Sequence, residues 1–360
     1  MDKKTALEDL IQFLRFKSVS TQSDHNQDSA DCAEWASRFL KESGLQSEVY
    51  PTPGHPIVFA QTKQDPEKKT LLIYGHYDVQ PVDPIELWDS DPFEPKVEGE
   101  YIYARGATDN KGQIMAHMQA IREVLKKGDC PLNVKFLIEG EEEIGSPNLK
   151  PFIEKNRELL ECDVIAVSDT GMVRRGQPTF TYGLRGIACA EVFLKGPGMD
   201  LHSGIFGGAI CNPITEAARL IGLIHDKNGN VQIPNFYKGV AETQDWELKQ
   251  WKELEVAEGE LKDICQVKAL WPQSSQFTPL ERMWIRPTAE INGFGGGYQG
   301  EGSKTIIPSE ANFKVSFRLV PGQDANEILS NFKSFLEENV SSGVDLKVEL
   351  GHQGKAYYLS

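Results

Sequence analysis

The chain has 360 residues, 39% of them apolar and 25% charged, enough hydrophobic material for about two packed domains and too much for a disordered chain. Acidic residues outnumber basic ones by 53 to 38, for a formal net charge of −15. That balance repels phosphate backbones and anionic lipid, so nucleic acid and membranes are excluded as partners, and no stretch approaches the roughly 20 apolar residues of a membrane span.

In chain order, MDKKTALEDLIQFLRF sets Leu7, Leu10, Ile11 and Leu14 at helical spacing among charges. It reads as an amphipathic helix and lacks the unbroken apolar centre of a signal peptide. Residues 31–43 predict a second helix stopping at Gly44, TLLIYG (70–75) a buried strand, and 112–128 a helix closed by Lys126, Lys127 and Gly128. NVKFLIEG (133–140) and CDVIAVSD (162–169) are again apolar runs of strand length. Alternation of this kind predicts an α/β fold with a mainly parallel sheet. After about residue 180 the texture changes to strand, helix, strand, helix, strand with half-polar alternation, a smaller α+β domain covered on one face, and the boundary is set near Tyr182. Residues 226–282, rich in Trp, Glu, Lys and Gln, read as an insertion or irregular helical arm. Cys32, Cys130, Cys162, Cys189, Cys211 and Cys265 are scattered without a C-x-x-C pair, as in the reduced thiols of a cytoplasmic protein.

In open α/β sheets ligands bind beyond the carboxyl ends of the strands. TLLIY runs into Gly75-His76-Tyr77-Asp78, YIYARG into Ala107-Thr108-Asp109-Asn110, NVKFLI into Glu139-Gly140-Glu141-Glu142-Glu143, and DVIAVS into Asp169. One imidazole and carboxylates from several strand ends therefore converge on one edge. Singly, each is an ordinary loop pair or helix cap; together they point to a metal site. Such hard ligands without thiolates suit zinc, manganese or cobalt. In His76-x-Asp78 the histidine binds the metal while the aspartate orients the ring from behind. Of the consecutive acids Glu142 and Glu143, one can bind metal while the other stays free as a base, and a shared carboxylate would bring two ions to within ~4 Å.

LLIYGHYDVQPVDPIELWDSDPFEP, YARGATDNKGQ, EGEEEIGS and VSDTGM together resemble the dinuclear metallopeptidases: carnosinase-like and cytosolic nonspecific dipeptidases, aminoacylases and glutamate carboxypeptidases. The resemblance implies a catalytic metal-binding domain over residues 1–182 and an inserted α+β lid, forming a homodimer, over 183–355. Residues 356–360 would begin a return to the catalytic domain, whose remainder, with a further histidine ligand and a Gly-rich loop, is expected to be missing from the sequence. It implies two divalent ions, zinc first. His76 and Asp169 would hold one, Asp109 would bridge to the other, and Glu143 would complete the second. Glu142 would be the general base, acting on a metal-bridged water. TYGLRGIACAEVFLKGPGMDLHSGIFGG resembles the opening of the lid, and His202 would then meet the oxyanion in the partner subunit's site. Thr305 in GSKTIIP, Arg318 in FKVSFRLVP and His352 in GHQGK would contact the substrate, with Arg318 and Thr305 holding its carboxylate. The implied reaction is hydrolysis of dipeptides or short peptides with a free C-terminal carboxylate. An N-acyl amino acid deacylase and a truncated, non-catalytic dimerising homologue are the alternatives.

Other signals carry less. GGGYQG (295–300) fits G-x-G-x-x-G but runs into the extended-looking Lys304–Pro308, so a dinucleotide turn is not expected. Asp200, His202 and Ser203 lack the G-x-S-x-G elbow of a serine hydrolase. His55 and His25 read as surface-loop residues, His117 as a core or flank residue of its helix, and His225 as a helix-end residue.

Overall fold

The structure, a computed structural model, describes residues 2–128, 130–173, 176–254, 256–272 and 275–359. The chain divides into two compact units, Met1–Gln177 and Pro178–Ser360.

The first unit contains α1 (Lys3–Leu14), α2 (Asn26–Glu42), β1 (Gln46–Tyr50), β2 (Ile57–Gln61), β3 (Thr70–His76), β4 (Lys96–Glu98), β5 (Tyr101–Tyr103), α3 (Lys111–Lys126), β6 (Asn133–Glu139), α4 (Leu149–Lys155), α5 (Arg157–Leu160) and β7 (Val164–Val167). Its sheet has the order β1-β2-β6-β3-β7. The β6-β3-β7 ladders are parallel, whereas β1-β2 and β2-β6 are antiparallel, so the sheet is mixed. Period-two alternation explains why its central strands look continuously apolar: both faces are covered. Val58, Ala60, Ile73, Val134, Phe136 and Ile138 face a core with Phe13, Trp35, Phe39, Ile114 and Met118 from α1, α2 and α3. Ile57, Phe59, Leu72 and Leu137 face Phe152 and Leu160 from α4 and α5. Phe13 stacks on Trp35 at 5.1 Å and Trp35 on Phe39 at 5.5 Å, locking α1 to α2. YIYARG does not join this sheet: among the described residues β5 pairs only with β4 in a small hairpin, so Asp109 is carried on a loop that leads into α3.

The second unit contains β8 (Gly183–Leu184), β9 (Gly186–Lys195), β10 (Leu201–His202), α6 (Ser203–Phe206), α7 (Pro213–Ile224), α8 (Asp245–Glu253), α9 (Glu258–Cys265), α10 (Pro279–Trp284), β11 (Thr288–Gly296), β12 (Ile306–Ile307), β13 (Glu310–Leu319), α11 (Ala325–Asn339), β14 (Asp345–Gly354) and β15 (Tyr357–Tyr358). An antiparallel sheet of order β11-β13-β9-β14 buries Ala188, Val192, Leu194, Phe313, Val315 and Phe317 against Leu220 and Ile224 of α7 and Phe332 and Leu336 of α11. The alternate residues of β13, Asn312, Lys314, Ser316 and Arg318, lie on the other, open face. Both helices begin on side-chain caps: Asn212 accepts from the Ile214 N–H at 2.9 Å, with Pro213 in the first turn, and Asp324 accepts from the Glu327 N–H at 3.0 Å. The arm of residues 226–282 holds the short helices α8, α9 and part of α10. β8 pairs with β15, and the Leu359 N–H donates to the Tyr182 carbonyl at 2.7 Å, so residues 182–184 and 357–359 lie side by side.

Candidate metal centre

In the first unit the carboxyl ends of β6, β3 and β7 share one edge, because these strands run parallel in register: His76 lies opposite Glu139, and Tyr74 opposite Val167. β3 delivers His76 fully buried. Its Nδ1 lies 3.1 Å from the Asp78 carbonyl oxygen and 3.3 Å from Asp78 Oδ1. Nδ1 thus donates back into its own turn, and Nε2 is left facing Asp109 Oδ1 at 3.2 Å and Asp169 Oδ2 at 3.6 Å. Nε2 is buried without a well-directed hydrogen bond.

The carboxylate of Asp78 does more than stand behind the ring. It accepts from the backbone N–H of Glu142 at 3.2 Å and of Glu143 at 3.1 Å, so one buried acid fixes both the imidazole and the 3-10 turn Glu142–Ile144. Within the acidic triplet Glu141 has a separate, structural task. It accepts from the His55 N–H at 3.2 Å and from Asn148 Nδ2 at 2.8 Å. His55 is therefore buried rather than on the surface, with Nε2 3.2 Å from the Ser20 carbonyl. His117 sits in α3 with Nε2 2.7 Å from Ser168 Oγ, beneath the end of β7.

Sequence reasoning missed Asn110 as a joint. Its Oδ1 accepts from the His76 N–H at 3.3 Å, and its Nδ2 donates to the Ser168 carbonyl at 3.0 Å and to Asp169 Oδ1 at 3.1 Å. The loop carrying Asp109 is thereby tied to the ends of β3 and β7 together. The approach requires Gly75, where a Cβ would lie 2.7 Å from Asn110 Oδ1. Gln80, also missed, donates through Nε2 to Glu143 Oε2 at 2.8 Å. Both amides lie within the segments GHYDVQPVD and ATDNKGQ, but those segments gave them no role, since both act through pairings that exist only in the fold.

Crowded acids set the electrostatics. Burial would by itself depress His76, but the carboxylates of Asp169 and Asp78 outweigh it and push the imidazole up to about 11. Burial lifts Glu142 to about 7, opposed by the His76 charge and reinforced by Asp169, Glu143 and Asp78. Glu143 is raised by burial, against the hydrogen bond from Gln80. A centre in which carboxylates hold a proton on a buried imidazole and raise one another is one in which a divalent cation would displace that proton. The donors fit such an ion: among the described residues, His76, Asp109 and Asp169 form one ligand set, and His76, Glu142 and Glu143 a second. The first is the set expected for one metal. Glu143, expected to share the other metal with Asp109, is grouped with His76 and Glu142, accepts from Gln80 and feels the Asp109 charge.

His202, Thr305, Arg318 and His352 all lie in the second unit. His202 caps α6, its Nδ1 accepting from the Gly204 N–H at 3.0 Å. β10 pairs with β12, and the Ser203 N–H donates to the Thr305 carbonyl at 3.0 Å, so His202 and Thr305 are neighbours. This small ladder continues the β9-β13 ladder past its Glu310 end, through the Gly196 N–H to the Ser309 carbonyl at 2.8 Å. Arg318 lies toward the opposite end of β13, opposite Ile187, which in turn pairs with Gly354 of β14. A Cβ on Gly354 would lie 3.3 Å from Ile187 Cγ2 and 4.0 Å from His352 Nε2, which puts His352 on the same sheet face as Arg318. Eight positions at about 3.3 Å each separate Glu310 from Arg318, roughly 26 Å. Thr305 and Arg318 of one chain are therefore not brought to a single point.

Comparison with known proteins agrees with the chemistry of the first unit. The chain is 34% identical over 281 residues to the Cys-Gly metallodipeptidase dug1 of Schizosaccharomyces pombe, covering 77% of this chain and 59% of that protein. It is 34% identical over 291 residues to the Beta-Ala-His dipeptidase of Homo sapiens, covering 79% and 57%. It thus spans about three fifths of the length of these curated relatives. The structure superposes on an M20 family metallo-carboxypeptidase from Sulfolobus solfataricus with a TM-score of 0.82 at 36% identity, covering 97% of this chain and 78% of that one. Residues 72–353 match the model of Peptidase family M20/M25/M40. With the match running from β3 to the His352 segment, the chain belongs to that peptidase family.

Proposed function

We propose that the protein is a dinuclear metallopeptidase that hydrolyses the amide bond of dipeptides or short peptides bearing a free C-terminal carboxylate. The observation that carries this reading is the buried, unsatisfied Nε2 of His76 facing Asp109 and Asp169, with Glu142 half-buried beside them. Two divalent cations, zinc in preference to manganese or cobalt, would be held by His76, Asp169, Asp109 and Glu143, and when bound they would acidify water and polarise the scissile carbonyl. Glu142 takes the proton from the attacking water and returns it to the leaving amine, the role open to a half-buried carboxylate beside the metal ligands. Asp78 holds His76 and the Glu142–Glu143 turn in register. Arg318, His352 and Thr305 bind the substrate, Arg318 through its terminal carboxylate, and His202 meets the oxyanion.

The separation of His202 and Thr305, at the small β10-β12 ladder, from Arg318 and His352, on the four-stranded sheet, supports a homodimer in which a second copy supplies the first pair. Residues 1–182 would be the catalytic part and 183–355 an inserted lid, a reading supported by the division at Gln177/Pro178 and by the pairing of β8 with β15. All six cysteines are free, which supports a reducing, cytoplasmic setting, and among the described residues no helix is long and apolar enough to cross a membrane.

The test is Glu142→Ala in zinc-loaded protein against a panel of dipeptides and N-acetyl amino acids. Metal content is expected to stay unchanged while dipeptide turnover falls by about 10²–10⁴-fold, the usual weight of a general base. Retained turnover would remove Glu142 as base, and cleavage of N-acetyl amino acids alone would favour the deacylase.

A further inference from the structure

We propose that Arg185 is a second binding residue for the substrate's terminal carboxylate, acting beside Arg318 on the open face of the four-stranded sheet. This rests on the reading that Arg318 meets that carboxylate, and it adds a residue that neither the motifs nor the comparisons single out.

The placement follows from register. Arg318 lies opposite Ile187, and Arg185 precedes Ile187 by two positions, in the one-residue break between β8 and β9, where it feels the charges of Arg318 and Glu290, two residues of the open face. The intervening Gly186 packs against the returning chain, where a Cβ would come within 2.6 Å of the Gly354 carbonyl and the Ala356 nitrogen, so the backbone there is firmly seated. Diagonal cross-strand neighbours of this kind lie roughly 7–8 Å apart, within reach of two arginine side chains. His352 joins the same face next to Ile187. Arg185, Arg318 and His352 thus lie close about Ile187.

Among the described residues, neither guanidinium has a hydrogen-bond or ion-pair partner to justify this closeness. Elsewhere, half-buried arginines are engaged: Arg122 with Asp9 at 2.8 Å, Arg105 with the Pro81 carbonyl at 2.9 Å, Arg282 with the Trp271 carbonyl at 2.7 Å, and Arg286 over the Phe277 ring at 4.2 Å. Arg185 is half-buried too, yet among the described residues it has no hydrogen bond or ion pair; burial and the Arg318 charge disfavour its cation, and the Glu290 charge favours it. Glu290 sits on β11 diagonally from Arg318, across the Thr288–Arg318 pair. Two guanidiniums set against Glu290 leave one positive charge, which one carboxylate neutralises. A carboxylate has two oxygens and about four lone-pair sites, enough to accept from both arginines at once.

The experiment compares wild type, Arg185→Gln and Arg185→Lys in the zinc-loaded protein with Ala-Gly and its C-terminal amide, alongside calorimetric binding of free glycine as a carboxylate probe. Arg185→Gln is expected to raise KM for Ala-Gly about tenfold with kcat within twofold, and to weaken glycine binding similarly. Arg185→Lys should recover most of both, and KM for the amide should not change between variants. An unchanged KM for Ala-Gly, or an equal rise for acid and amide, would overturn the proposal, and the thermal midpoint of each variant separates either result from misfolding. If the wild type cleaved no peptide, the peptidase reading would fall by itself. Glycine binding would still decide the arginine pair, standing if Arg185→Gln weakens it and falling if it does not.

Discussion

Asp78 shows at the scale of one residue how the centre is held. It is fully buried and accepts two backbone N–H groups while lying 3.3 Å from the His76 ring. Asp78→Ala would leave the Glu142 and Glu143 amides without their acceptor, each such loss costing about 1–3 kcal/mol, while the imidazole keeps the Asp78 backbone carbonyl and loses only the neighbouring carboxylate. Destabilisation by about 2–4 kcal/mol in urea unfolding is expected, together with reduced zinc occupancy. Asp78→Asn keeps one acceptor oxygen and should fall between the two. An unchanged unfolding midpoint in Asp78→Ala would show that the turn is held by something else.

At the scale of elements, two glycines let neighbouring segments meet. A Cβ on Gly140 would lie 2.2 Å from Tyr77 Oη, and Tyr77 is fully buried with its hydroxyl donating to the Pro56 carbonyl at 2.7 Å. Gly140→Ala is therefore expected to cost about 1–3 kcal/mol by overpacking, read as a lowered thermal midpoint. Gly75→Ala acts differently, because it presses on Asn110 and Ile114. Zinc affinity should fall by more than the loss in stability accounts for, since Asn110 joins the metal loop to β3 and β7; equal losses would argue against that role.

The same elements show what the sequence made legible. β3, α3, β6 and β7 were readable because apolar runs of the right length end in Gly, His or acids, and their parallel order then implied a shared edge. YIYARG has strand composition, but composition does not name a partner, and its partner is Lys96–Glu98 rather than the sheet. β1, β2 and β11 were not read: QSEVY and IVFAQ are short, and TAEINGFGG is interrupted by Gly and Asn at a bulge between Ile291 and Gly293. His76, Asp78, Asp109, the Glu pair and Asp169 could be named because each is a chemically loud residue at a strand or loop end. Asn110, Gln80 and the burial of His55 depended on contacts across dozens of residues, and Arg185 on a neighbour that only the register supplies.

At the scale of the whole molecule the account requires two copies. Coexpressed His202→Ala and Glu142→Ala subunits should form mixed dimers with one competent site each, restoring about a quarter of wild-type activity when pairing is random and each parent alone is inactive. No recovery would contradict a histidine supplied in trans. The central claim, a two-ion centre built on His76, Asp109, Glu143 and Asp169, is tested most directly by the metal content of the purified, folded protein after zinc loading and removal of free ion. Close to two zinc ions per chain is the expected result; one or none would contradict it.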